Sequence, residues 1–302
     1  MIAVRNLKKK FGDFAALDQV SFRVEEGETF ALLGPNGSGK TTALKCLVGL
    51  ARPTSGQILI DGFDVWKQSR EAKRRMSYLP QRLSFHETLT AREVLGFYCR
   101  LRKINPSRID EVLERARLNG FTDKPASQFS GGMIQRLGLA VACLPDVPML
   151  VLDEPTISLD PQGAVRFREF LAELKREGKT IIFSSHMLAD VEQLADRVAI
   201  LVGGRLIALD TIDGLREKLV SGCRMQIVMS NANEKFSTVA LQAGADGAVI
   251  DGDSLWLASR PEMRMEILRE IESAGGRIAR LATQELSLED IYMGYINAQE
   301  DR

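Results

Sequence analysis

The segment Gly34-Pro-Asn-Gly-Ser-Gly39-Lys40-Thr41 constrains this chain more than any other stretch in it. It matches G-x-x-x-x-G-K-[ST], a spacing that acquires meaning only between a strand and a helix. Both flanks are legible. Thr29-Phe-Ala-Leu-Leu33 is a continuous apolar run, the pattern of a strand buried on both faces of a parallel sheet. Thr41 to Leu50 reads as helix. Such a loop turns backbone N–H groups inward around phosphate oxygens, and the helix amino terminus adds a positive dipole end. Lys40 then sets a point charge on the β- and γ-phosphates, while the Thr41 hydroxyl is a ligand for Mg²⁺. The expected nucleotide-binding residues are Gly34, Pro35, Asn36, Gly37, Ser38, Gly39, Lys40, Thr41 and Thr42. By itself the motif specifies a nucleoside triphosphate and no more, because GTPases and small-molecule kinases carry it too.

Strands and helices alternate along most of the chain. Ile2–Leu7, Val20–Val24 and Gln57–Ile60 are short β-rich runs in the first sixty residues. From about Thr90 to Leu144 the period becomes helical, with Val94, Leu95, Tyr98 and Leu101 forming one stripe and Ile109, Val112, Leu113 and Ala116 another. Strands return at Met149–Leu152, Thr180–Phe183 and Val198–Val202, with a helix of pattern Val165, Phe167, Phe170, Leu171, Leu174 between the first two. Gly203-Gly204 reads as a hairpin turn into Arg205–Leu209. The alternation implies an α/β fold with a parallel sheet covered on both faces.

Two carboxylates, Asp153 and Glu154, follow the apolar Met149–Leu152 run, at the carboxyl end of a buried strand where open α/β sheets bind ligands. Asp153 there can hold Mg²⁺ through its water shell, and Glu154 can reach the water that attacks the γ-phosphate. His186 comes just past Thr180–Phe183 on the same edge, placed to contact the γ-phosphate or position that water. His86 has no such setting and reads as a structural or surface residue.

Composition narrows the class. Of 302 residues, 45% are hydrophobic and 26% charged, with 40 basic against 40 acidic side chains and no net charge. That argues against a salt-driven nucleic-acid binder, and leaves open only a local basic patch. No apolar run reaches the ~18–20 residues of a membrane-spanning helix, and Met1–Lys10 has no apolar core of a secretory signal. Cys46, Cys99, Cys143 and Cys223 lack paired spacing, which fits reduced thiols in a cytosolic protein, and two histidines cannot build a histidine-rich metal centre. Past Ser221-Gly222, eight basic residues face thirteen acidic ones, leaving the tail at −5. The tail alternates again: strand Arg224–Met229, helix Phe236–Gln242, strands at Ala248–Ile250 and Ser254–Ala258, helix Pro261–Ser273 and strand Arg277–Leu281. Ser287-Leu-Glu-Asp290 resembles a capping box opening a last helix to about Ile296.

Phe129-Ser130-Gly131-Gly132-Met133-Ile-Gln135-Arg136 precedes an apolar helical run. A serine and two glycines at a helix start can form a second anion site, or simply a flexible N-cap. The order of motifs distinguishes the two. The phosphate loop, Gln81 in Tyr78-Leu-Pro-Gln81, Ser130-Gly131-Gly132, Asp153-Glu154, Ser158-Leu-Asp160 and His186 occur in the order of the ATP-binding-cassette (ABC) ATPases, which residues 1–220 resemble throughout. The resemblance implies a P-loop NTPase core with an amino-terminal antiparallel β-subdomain, a helical subdomain over about residues 82–146 and a small carboxyl-terminal α/β domain over 223–302. It implies ATP and Mg²⁺ as cofactors, with Gln81 joining Glu154 and His186 in the catalytic set by sensing Mg²⁺ and the water and coupling to a membrane partner. Phe11 would stack on adenine. Ser130, Gly131 and Gly132 would contact the γ-phosphate held by a second copy of the subunit, and Asp160 would bridge the two sites. Three positions depart from the family pattern: Phe129 and Met133 flank the Ser-Gly-Gly core, and Ser158 replaces a glycine.

The tail, together with Met133 and Ser184-Ser185-His186, is similar to the ATPases of type-2 ABC exporters, which serve drug, polysaccharide and haem export or nitrous-oxide reductase maturation. The expected function is therefore an ATP-hydrolysing exporter subunit, cytoplasmic and peripheral on the inner face of the membrane through a separate transmembrane permease, with no direct nucleic-acid contact. The alternative is a soluble ABC ATPase acting on nucleic acid or ribosomes. Those chains carry two cassettes or long coiled-coil insertions, and neither is seen here. A GTPase reading lacks an Asn-Lys-x-Asp motif.

Overall fold

Gly12-Asp13 turns the chain back between β1 (Ile2–Phe11) and β2 (Phe14–Val24). In the computed structural model both strands run longer than their apolar cores suggest. Lys8, Lys9 and Lys10 stay in β1 because the ladder slips past irregularities at Asn6 (φ +46°) and, on β2, Gln19 (φ +55°). β4 (Ser55–Ile60) pairs with the other side of β1, and β5 (Phe63–Asp64) closes an antiparallel sheet of order β2-β1-β4-β5.

The second sheet holds β3 (Thr29–Leu33), β6 (Met76–Leu79), β7 (Met149–Asp153), β8 (Thr180–Ser185), β9 (Arg197–Val202) and β10 (Arg205–Asp210), in the order β10-β9-β3-β8-β7-β6. All neighbours are parallel except the β9–β10 hairpin at Gly203-Gly204. β3, β7 and β8 are buried at every residue, as continuous apolar runs require. One core fills the space where the two sheets and α1 (Lys40–Leu47) meet, with Phe22 stacked on Phe30 at 5.2 Å. The α1 helix stops short of the expected Leu50 because Gly49 takes a left-handed φ of +69°.

After the short α2 (Ser69–Lys73), a helical cluster forms from α3 (Ala91–Arg102), α4 (Arg108–Arg115) and α5 (Gly131–Cys143). Thr90 and Glu93 close a reciprocal capping box at the start of α3. α6 (Pro161–Arg176) and α7 (Leu188–Leu194) follow β7 and β8. Two residues expected in buried stripes are exposed. Leu101 is 65% accessible because it stands about 200° around α3 from the buried Cys99. Val165 is 46% accessible because it stands about 200° around α6 from the buried Phe167. No helix among the described residues is long and apolar enough to cross a membrane.

The structure describes residues 1–157, 159–219 and 224–284, with 289, 292 and 293. Two units are distinguished, Met1–Asp210 and Thr211–Arg302, so α8 (Ile212–Leu219) groups with the second, upstream of the expected break at Ser221-Gly222. Ser158, Ser221-Gly222, Cys223 and most of the expected last helix lie outside the described residues. The second unit runs β11 (Arg224–Met229), α9 (Glu234–Gln242), β12 (Gly247–Asp251), β13 (Ser254–Ala258), α10 (Arg264–Ser273) and β14 (Ile278–Gln284). Its antiparallel sheet has the order β12-β13-β11-β14, the βαββαβ arrangement called ferredoxin-like. Met225, Ile227, Leu255, Leu257, Phe236, Ile267 and Ile271 form its own core.

Candidate active site

The parallel register brings the chemistry to one edge. Leu33 at the end of β3 pairs with Ser185, Asp153 at the end of β7 pairs with Ser184, and Leu79 of β6 pairs with Leu152. The phosphate loop, the two carboxylates, His186 and Gln81 all follow these strand ends.

The loop's glycines answer steric demands set by distant backbone. Gly39 has φ +103°, and a Cβ there would lie 2.6 Å from the Ala16 carbonyl oxygen. A Cβ on Gly34 would lie 2.2 Å from the Leu201 carbonyl oxygen. The β9–β10 turn also holds the loop from behind, because Gly204 N–H donates to the Ser38 carbonyl at 3.1 Å. No side chain caps α1, so its first N–H groups are left for an anion. Ser38 Oγ is buried and has no partner, which fits a phosphate oxygen inside the loop. Thr41 and Thr42 are half-buried at the start of α1, whereas Pro35, Asn36 and Gly37 are exposed.

Lys40 is only 5% accessible. Its Nζ donates to the carbonyls of Gly34 (2.7 Å) and Pro35 (3.2 Å) and lies 3.3 Å from Glu154 Oε1. Thr41 Oγ1 and Ser184 Oγ donate to Asp153 Oδ1 at 2.9 and 2.8 Å, and Tyr78 OH donates to Oδ2 at 3.3 Å. Burial, reinforced by the charge on Asp153, pushes the Tyr78 phenol far above its usual range, so it remains a donor. Glu154 is buried, with φ +48°, and its other carboxylate oxygen Oε2 lies 2.7 Å from His186 Nδ1. An ionised carboxylate only accepts, so Nδ1–H donates to Glu154, and Nε2 is the ring nitrogen on the far side from it. The donor set on this edge, one carboxylate and one hydroxyl, fits a divalent cation that keeps waters and phosphate oxygens as its other ligands. No three His, Cys, Asp or Glu side chains gather as an all-protein metal cage among the described residues.

Ser130 caps α5, its Oγ accepting from Met133 N–H at 3.3 Å. Asp160 caps α6 and accepts from Gly163 N–H at 2.7 Å. Both, with Gly131 and Gly132, line a cleft of about 340 Å³ that also takes in Arg136 and Arg166. Phe129 and Met133, the departures from the family pattern, pack against the helical core. Gln81 is half-buried in a bend past β6, and His86 is exposed with Nδ1 on the Thr88 hydroxyl at 2.9 Å. Phe11 is 54% accessible and has Lys9 Nζ 4.6 Å from its ring centre, so it is not a core residue.

Four participants escape sequence reading. Tyr78 and Ser184 hold Asp153. Buried Gln135 donates to the Pro155 carbonyl at 2.8 Å, tying α5 to the segment after Glu154. Asp190 joins Thr156 (2.6 Å) to Arg168 (2.9 Å). Tyr78, Gln135 and Ser184 lie inside motifs visible in the sequence, but their partners do not show there, and Asp190 lies in none.

The profile of the family described as ABC transporter matches residues 17–157. The chain is 33% identical over 97% of its length to the daunorubicin resistance ATP-binding protein DrrA3 of Streptomyces coeruleorubidus, covering 94% of that protein. It is 31% identical to the linearmycin resistance ATP-binding protein LnrL of Bacillus subtilis (97% of each chain). It is 37% identical to the Nod factor export ATP-binding protein I of Rhizobium etli (95% of this chain, 90% of that one). Among solved structures, an ATP-binding subunit of an ABC transporter superposes with a TM-score of 0.66 at 31% identity, covering 72% of this chain and 92% of that one. A dimeric post-hydrolysis state of the cassette MJ0796 with ADP and Pi gives 0.65 at 26%, covering 70% and 99%.

Proposed function

Since this chain belongs to the ABC transporter family, we propose that it is the ATP-hydrolysing subunit of an exporter whose membrane-spanning permease is a separate polypeptide. The observation that carries the reading is the convergence of Lys40, Thr41, Asp153, Glu154 and His186 within one hydrogen-bonded cluster at a phosphate loop. The loop N–H groups and Lys40 bind the phosphates, and Thr41 and Asp153 would hold Mg²⁺. When bound, that ion neutralises charge on the phosphate oxygens. Glu154 takes the proton of the attacking water. His186 donates Nδ1–H to Glu154, fixing its orientation, and as the imidazolium would donate Nε2–H to a γ-phosphate oxygen.

In this reading Ser130, Gly131 and Gly132 close over the nucleotide of a second copy, and Asp160 spans the two sites. Phe11, exposed at the β1–β2 hairpin, supplies a face for adenine. A groove of about 580 Å³, lined in part by Tyr78, Arg82, Phe85, Tyr98 and Arg102, adjoins Gln81 and is where we place the permease. The subunit then lies peripherally on the inner membrane face. Export is supported by relatives whose names record drug resistance, lantibiotic transport and Nod factor export.

The test is co-expression with candidate permeases from the neighbouring genes and purification in detergent. A stable complex whose ATPase activity requires Glu154 is expected. A chain that stays apart from every membrane protein while hydrolysing ATP at full rate would overturn the transporter assignment.

A further inference from the structure

We infer that Ser184 is a positioning residue that sets the magnesium carboxylate and the general base relative to one another. It lies on β8 opposite Asp153 with no accessible surface. Its hydroxyl donates to Asp153 Oδ1 at 2.8 Å and accepts the Glu154 backbone N–H at 2.8 Å. The direction of both bonds is forced, because a carboxylate only accepts and an N–H only donates. One oxygen therefore ties the side chain of one residue to the backbone of the next.

The tie matters because β7 ends abruptly here. Glu154 adopts a left-handed φ of +48°, a conformation unfavourable for a residue with a Cβ. Leaving the ladder in that way would strand its buried N–H without an acceptor, and Ser184 Oγ supplies one. The same strand β8 is followed by His186, whose Nδ1 meets the Glu154 carboxylate at 2.7 Å. Glu154 is thus gripped at its backbone by Ser184 and at its carboxylate by His186. Asp153 Oδ1 receives a second hydroxyl, Thr41, which is itself a candidate ligand for the cation. Tyr78 holds Oδ2 at 3.3 Å, and on Oδ1 Ser184 is the donor that is not itself a candidate ligand for the cation, so it keeps that oxygen in place. Alanine removes both bonds, while threonine keeps the hydroxyl.

This inference rests on the ATP-hydrolase reading, and the experiment separates the two. Ser184→Ala and Ser184→Thr are made in the full chain. ATP affinity is measured in Mg²⁺ and in EDTA in a Glu154→Gln background, and kcat and KM with Glu154 intact. For Ser184→Ala we expect ATP affinity in EDTA unchanged and the tightening by Mg²⁺ reduced severalfold. We also expect kcat to fall roughly 10- to 100-fold, the factor for one hydrogen bond to a charged group, with KM little altered. Ser184→Thr should restore most of both. If the alanine variant fails to fold, Ser184→Cys, close in volume with a weaker donor, should show the same losses to a lesser degree. Mg²⁺ dependence and kcat within twofold of the parent in the folded variant would overturn the inference, as would a lowered melting temperature with unchanged kcat. A parent chain that binds no ATP even in Mg²⁺ would remove the hydrolase reading and the inference with it.

Discussion

His186 Nδ1 lies 2.7 Å from Glu154 Oε2, while the other carboxylate oxygen of Glu154 lies 3.3 Å from Lys40 Nζ. A buried carboxylate is stable only when its charge is met by donors, and Glu154 meets two of different kinds. One belongs to the phosphate loop and the other to the strand edge beside it. The candidate base is consequently oriented by Lys40 of the phosphate loop and by His186.

Glu154→Gln should therefore keep ATP binding and slow hydrolysis by about 10²- to 10⁴-fold, the loss typical of removing a general base. His186→Ala should also keep ATP binding but lower kcat by roughly 10²-fold, since it removes the group that orients the base rather than the base itself. Single-turnover rates alongside nucleotide affinity test both. Near-full turnover by Glu154→Gln would end its assignment as the base.

Gln135→Leu should destabilise the fold by about 1–3 kcal/mol, because the Pro155 carbonyl loses the buried donor now 2.8 Å away. The urea midpoint should fall with an unchanged m-value. A midpoint equal to that of the parent would mean the bond contributes nothing net.

Burial raises the Cys46 thiol to about 11 and the Cys143 thiol to about 12. At pH 8 roughly one Cys46 side chain in a thousand is then the reactive thiolate. Both should resist iodoacetamide in the folded protein and react once it is unfolded, as mass spectrometry of the peptides would show. Rapid labelling of Cys46 in the native state would contradict its burial.

Residues 1–220 should fold and bind ATP without the remainder. Every nucleotide-facing side chain named above precedes Asp210, and the second unit has its own core. Insolubility of the shortened chain, or loss of ATP binding, would show instead that the second unit completes the first.

A mixture of Lys40→Ala and Ser130→Arg chains should recover ATP-dependent dimerisation that neither shows alone. The mixed pair contains one doubly damaged site and one intact site, if each site takes its phosphate loop from one chain and Ser130-Gly131-Gly132 from the other. Analytical ultracentrifugation with ATP and Glu154→Gln in both chains would detect it. No recovery, with mixed-dimer contact shown by crosslinking, would exclude the shared site.

What the sequence determined alone is what local pattern can encode. Strand β3, the phosphate loop and the carboxylates after β7 are contiguous, so period and spacing reveal them before any folding is known. The βαββαβ order of the second unit was legible for the same reason, each element carrying its own alternation. Only the tertiary structure decided which groups meet. Ser184 and Asp153 are 31 residues apart, Tyr78 and Asp153 are 75, and Gly204 supports Ser38 from the far end of the first unit. Nothing in Ser184 distinguishes it locally from its neighbour Ser185, which bonds the Met187 carbonyl and N–H instead. The register of β7 against β8 makes the choice, since side chains alternate across a strand and only one of two adjacent serines can face the Asp153 carboxylate.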